Sequence, residues 1–190
     1  MNQIKLVCIG FVFCVSIMSC GNKKKYNGDS IMNYPDMELL FKQNLEPFQK
    51  PPNTFKLISN IDGKKDSSFL KANEVNWDDL KQPFLKANLF QEKLDKHYSI
   101  EVFTDTLLNK RTMLLTSLDP KAITSKMSIT SKTNDNKILT IYAETRDAGF
   151  FMTREYKLLF VNGKTLQVQE LKKNPFMKIK RSVKTLTFLN

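Results

Sequence analysis

Hydrophobic and polar positions fall into three successive rhythms. Leu6–Met18 (LVCIGFVFCVSIM) is an apolar run broken only by Gly10 and Ser16. From Met37 to about Phe48, the positions Leu40, Phe41, Asn44, Leu45 and Phe48 recur at i, i+4 and i+8, the spacing of one helix face. Pro35 and Asp36 start that helix and Lys50-Pro51-Pro52-Asn53 stops it. A second helical stretch runs from Asn76 to about Lys96, with Asn76 as N-cap and Asp78 and Asp79 in the positive first turn. Its apolar positions are Trp77, Leu80, Phe84, Leu85, Leu89 and Phe90. Pro83 interrupts the pattern, which leaves a helix beginning near Gln82 as the alternative.

Between the two helices, Thr54–Ser59 reads as a short strand, and Asp62-Gly63 is a turn signal. The Lys64-Lys65-Asp66-Ser67-Ser68 that follows is very polar for a return strand. From Tyr98 onward the rhythm becomes two. The predicted strands are Tyr98–Thr104, Arg111–Leu118, Ala122–Thr133, Lys137–Arg146, Phe150–Val161, Thr165–Leu171 and Lys178–Phe188. Short connections at Asn134-Asp135-Asn136, Asp147-Ala148-Gly149 and Asn162-Gly163 force antiparallel neighbours. The fold class is α+β: one or two N-terminal helices, then an antiparallel meander forming a curved sheet or open barrel.

The chain carries 30 Lys and Arg against 19 Asp and Glu, a formal charge of +11. Only Arg111, Arg146, Arg154 and Arg181 are arginines, whereas phosphate and base readers favour the arginine fork. The scattered lysines therefore read as a solvated surface, and nucleic acid is not expected as a partner. An anionic partner, lipid headgroups or acidic polysaccharide, is the alternative.

Reactive constellations are sparse. The lone histidine, His97, lies beside Tyr98 at a predicted helix end and has no nucleophile elbow to serve. One histidine, with all three cysteines within the first twenty residues, leaves the rest of the chain without the ligands of the usual zinc sites, and Asn134-Asp135-Asn136 lacks the Gly and final Glu of a calcium loop. Asp78/Asp79 and Glu101/Asp105 have the wrong spacing for a carboxylate pair. Glu144, Arg146, Arg154 and Glu155 flank one turn and read as cross-strand pairs, with a charged cleft as the alternative. No catalytic residue, metal ligand or cofactor is assigned.

The apolar start has one positive charge, Lys5, and its thirteen residues are short of the ~20 that a membrane span needs. It has the form of a secretory signal. Ile17-Met18-Ser19-Cys20 at its end resembles a bacterial lipobox. That resemblance implies cleavage before Cys20, diacylglycerol on the Cys20 thiol and acylation of the new amine. Cys8 and Cys14 then leave with the signal, so the mature chain has no thiol for a disulfide. The resulting organisation is a signal peptide over residues 1–19, lipidated Cys20 with a flexible tether over 20–34, and a single domain over 35–190. Removing 19 of 190 residues leaves 171, enough for one domain with its own core. In enterobacterial lipoproteins an Asp after the cysteine signals inner-membrane retention, and Gly21 stands there instead. Some Bacteroidota lipoproteins reach the surface through an acidic run, and Lys23-Lys24-Lys25 stands there. The resemblance thus implies an outer-membrane lipoprotein facing the periplasm.

A second resemblance rests on Asp62-Gly63-Lys64-Lys65-Asp66, Val75-Asn76-Trp77, Leu80, Pro83-Phe84-Leu85, Ala87-Asn88-Leu89, Lys96-His97-Tyr98 and Leu118-Asp119-Pro120. This series is similar to that of a group of uncharacterised Bacteroidota lipoproteins that pair the segment with a strand-rich C-terminal half. The resemblance implies no activity. The expected function is a non-enzymatic binding or assembly role of a membrane-anchored envelope lipoprotein, with membrane lipid as partner through Cys20 and an envelope protein or lipid as its unknown second partner. One alternative is a periplasmic lipid or glycolipid carrier, with phenylalanines such as Phe150 and Phe151 lining an apolar cavity. The other is an envelope hydrolase, which would need two carboxyls about 5–10 Å apart in a cleft.

Overall fold

The computed structural model describes residues 36–89 and 97–189. The predicted signal, Cys20, the tether and the second helix's continuation through Phe90 to Lys96 lie outside the described residues.

Helix α1 spans Met37–Asn44, capped by Asp36, whose carboxylate accepts the Glu38 and Leu39 N–H groups at 2.9 and 3.4 Å. It is shorter than the periodicity predicts. Pro47 disfavours helical geometry at Glu46 and lacks an N–H, and Glu46–Gln49 tightens into a 3₁₀ turn. Helix α2 spans Trp77–Lys86, with the Asn76 side chain accepting the Asp79 N–H at 3.3 Å. It starts at Trp77 rather than near Gln82 and carries Pro83 inside. Leu80 and Phe84, four residues apart, stay buried on one face, so packing outweighs the lost hydrogen bond.

Nine antiparallel strands form one open sheet in the order β2-β1-β9-β8-β7-β6-β5-β4-β3. They are β1 Thr54–Ile61, β2 Lys64–Lys71, β3 Tyr98–Asp105, β4 Lys110–Ser117, β5 Thr124–Lys132, β6 Ile138–Ala148, β7 Thr153–Val161, β8 Thr165–Asn174 and β9 Met177–Leu189. Strands β3–β9 are the predicted meander. The β1–β2 hairpin lies between the two helices in sequence, so the helices do not simply precede the sheet. It joins through β1 against β9, pairing Thr54 with Leu189 and Ile61 with Ser182. Strand β2 does form: the two-residue turn Asp62-Gly63, with φ of 51° and 88°, sets Ile61 opposite Lys64. Its polarity belongs to its place at the sheet edge, where lysines and solvent-facing side chains deter further pairing.

Alternation buries one face. Phe55, Met113, Leu115, Met127, Ile129, Ile141, Leu158, Phe160, Leu166 and Leu186 meet Leu40, Phe41, Leu45, Leu80 and Phe84 from the helices in one cluster. Phe41 is the wedge, edge-on to Phe84 at 5.3 Å and to Phe160 at 6.0 Å. Phe48 stacks on Phe188 at 4.9 Å and pins the turn after α1 to β9. The end of α1 is fixed by Asn162, which donates to the Asn44 side chain at 2.8 Å and to the Ile138 carbonyl at 3.0 Å. This core fills the space between helices and sheet.

Candidate functional site

The meander places four connections at one end of the sheet: Asp62-Gly63, residues 118–123, Gly149–Met152 and Pro175-Phe176. Strands β7 and β8 pair Thr153 with Lys173, so the last two tips adjoin. The sequence pattern puts Phe150-Phe151-Met152 at the start of β7, yet β7 begins at Thr153 and these residues form a loop. Phe150 and Phe151 meet edge-on at 4.6 Å and remain 93 and 62 % exposed. On the neighbouring hairpin Phe176 is 83 % exposed, and Met177 and Ile179 are exposed too. The two tips bound a cleft of about 330 Å³ lined by Phe150, Phe151, Met152, Pro175 and Ile179. Lys178, Lys180 and Arg181 stand exposed on the same hairpin. Leu118 and Ile123 add exposed apolar groups to that end.

These aromatics do not line an interior cavity, the role the carrier alternative gives them. The tips extend past the last paired residues, Ala148 with Thr153 and Asn174 with Met177. Sequence alternation missed this because Phe-Phe-Met reads as strand; the Asp147–Gly149 turn signal marked the loop two to three residues early.

A second cleft, about 600 Å³, opens on the sheet face away from the helices. Glu144, Arg146, Glu155, Lys157 and Arg181 line it. Arg146 stands opposite Glu155, and Glu144 opposite Lys157. Arg154 lies opposite Asp147 on the other face, so three of the four charged residues flanking the turn meet here and the fourth does not. Glu144 and Glu155 are diagonal neighbours on this face, with backbones roughly 7–8 Å apart in such a ladder, so they are the pair of carboxylates a hydrolytic reading would use. Their surroundings differ from those of a hydrolytic pair. Lys157 lies 4.0 Å from Glu144 and Lys173 lies 2.7 Å from Glu155, with the carboxylate side chains 36 and 35 % exposed. A general acid instead requires a carboxyl shielded from water and cations. The Tyr142 hydroxyl donates to Glu144, and burial, followed by that bond and the carboxylate's charge, pushes the phenol up to about 12.

On the helix-side face, Tyr156 donates to Glu170 at 3.0 Å and Lys172 pairs with Glu170 at 3.3 Å. Burial and Glu170 raise the Tyr156 pKa, partly offset by Arg154.

None of the remaining sequence candidates lines either cleft. His97 is exposed and its carbonyl accepts the Leu118 N–H at 2.8 Å. Asp79 pairs with Lys184 at 3.1 Å and Asp105 accepts the Leu108 N–H at 2.9 Å. Asp135 accepts the Lys137 N–H within its hairpin turn. Among the described residues no group of three or more His, Cys, Asp or Glu gathers as a metal site, and no helix is long and apolar enough to cross a membrane. Comparison with protein-family models, with curated proteins and with solved structures finds no match to this chain.

Proposed function

We propose that this chain is an envelope lipoprotein, anchored through acylated Cys20, whose domain has a non-enzymatic binding or assembly role. The supporting observation is the exposed end formed by Phe150, Phe151, Phe176, Met177 and Ile179. These are large apolar groups that the core does not use, gathered on two adjoining tips. Isolated exposed apolar residues are ordinary, whereas a contiguous group marks a contact surface.

The carrier alternative has less support. Phe41, Phe84 and Phe160 occupy the space between helices and sheet, so a lipid would have to displace α2. The hydrolase alternative rests on Glu144 and Glu155, each already held by a lysine. The outer-membrane, periplasm-facing placement follows from the residues after Cys20 and belongs to this same proposal.

The test is purification from membranes after mild crosslinking in cells, with mass spectrometry of the mature N-terminus and of co-purified proteins and lipids. The proposal expects a chain beginning at an acylated Cys20 together with a defined protein or lipid. An unmodified Cys20, or a purified chain with robust turnover and no partner, would overturn it.

A further inference from the structure

We infer that the Phe150–Phe176 end docks on the bilayer itself, with its apolar tips among the acyl chains and its lysines on anionic headgroups. The inference rests on the anchored reading above and names the partner of that surface.

Three independent observations carry it. The first is shape. Phe150, Phe151, Phe176 and Met177 stand on narrow hairpin tips rather than on a flat face. A protein partner would need matching sockets across roughly 800 Å² per side. A bilayer accepts protruding side chains, and apolar groups commonly enter about 5–10 Å into its interface.

The second is charge. Lys178, Lys180 and Arg181 follow Phe176 on the same strand, and Lys121 is exposed on the 118–123 loop. Of the carboxylates of this end, Asp147 pairs with Lys86 at 3.3 Å and Glu155 with Lys173 at 2.7 Å. Asp62 and Asp119 accept the backbone N–H groups of Arg181 and Lys121 at 2.8 Å and keep their charge, fewer than the four basic side chains beside them. A basic side chain near an anionic leaflet raises membrane partition about fivefold.

The third is where the chain enters the domain. The Asp36 carboxylate accepts from Asn88 at 3.4 Å, just beyond α2, and Lys86 of α2 reaches Asp147 beside the Phe150 loop. The other end of α1 meets Asn162, at the opposite end of the sheet. The start of α1 therefore faces the aromatic end. Residues 21–35 separate Cys20 from Asp36 and span at most about 50 Å at full extension. An anchor at Cys20 holds this end within reach of the membrane.

The test uses the acylated mature protein, beginning at Cys20, reconstituted in vesicles that contain roughly one-third phosphatidylglycerol. Phe176→Cys, Phe151→Cys and Leu107→Cys are each labelled with a fluorophore; on the anchored reading the mature chain has no other free thiol. Lipids with a spin label near the headgroup act as quenchers. Docking predicts strong quenching at 176 and 151, little at 107 on the opposite end, and a several-fold loss at 176 in vesicles of phosphatidylcholine alone. If the protein floats with the vesicles but 176 is quenched no more than 107, docking is refuted and the anchored reading stands. If the protein does not float, both fail.

Discussion

Replacing Phe84 by alanine removes the side chain that ties α2 to the rest of the core. Phe84 is fully buried and meets Phe41 edge-on at 5.3 Å, and Phe41 in turn meets Phe160 on β7. Truncating a core phenylalanine costs about 3–5 kcal/mol in transfer and cavity terms. The upper half of that range is expected here, because an aromatic pair adds roughly 0.5–1.5 kcal/mol beyond area. At about 2–4 °C per kcal/mol for a domain of this size, the midpoint falls by roughly 8–20 °C. Trp77, the one tryptophan of the chain, is a built-in probe: its Nε1–H donates to the Ala72 carbonyl at 2.9 Å and its ring lies edge-on to Phe55 at 5.3 Å. Urea unfolding is followed by Trp77 emission and by far-ultraviolet circular dichroism. The two signals should shift together in Phe84→Ala. A loss below about 1 kcal/mol would refute the reasoning, because a side chain whose removal is that cheap is not filling a close-packed space.

Further outcomes follow from the same structure. Tyr142 should titrate near 12 in the folded protein, read by phenolate absorbance. Its raised pKa contributes stability that is complete below the unfolded value near 10 and is lost as pH rises from 10 to 12. Glu144→Gln should lower that titration only part of the way, since burial is its largest cause. Lys86→Ala should cost under about 1 kcal/mol in urea denaturation, because both partners of the Asp147 pair are half exposed. Asn162→Ala removes bonds to Asn44 and Ile138 and should cost about 1–3 kcal/mol by the same assay. Phe176→Asp, at an exposed tip, should change stability by no more than about 0.5 kcal/mol, which separates the surface role of this residue from any core role.

Period-two alternation marked all seven strands of the meander because each has one buried and one wet face. Gly163 does take a positive φ of 66°, as Asn162-Gly163 suggests, although the β7–β8 connection holds three residues between paired Val161 and Thr165. Strand β2 was not legible because an outer edge strand has little to bury. The pairing of β1 with β9 was not legible either: nothing local in Thr54–Ile61 specifies a partner more than a hundred residues away. Pro83 masked the extent of α2, since its local penalty is overcome by the distant contacts of Phe84. At the candidate site, the cluster at residues 150–152 was visible as an apolar group beside a turn. Its exposure was not, because it follows from β7 starting only at Thr153, which leaves these residues in the loop. The charged group of Glu144, Arg146, Arg154 and Glu155 was visible as flanking one turn, but the β6–β7 register alone places Glu144 and Glu155 as diagonal neighbours and Arg154 on the other face.

The most direct test of the account places a photo-crosslinking amino acid at Phe151, Phe176, Phe69 and Leu107 in turn, in the native anchored protein in cells. The account predicts specific lipid adducts at 151 and 176, and only background at 69 on edge strand β2 and at 107 on the far end. Equal background at all four sites, or specific adducts confined to 69 or 107, would contradict the claim that the aromatic end is the working surface.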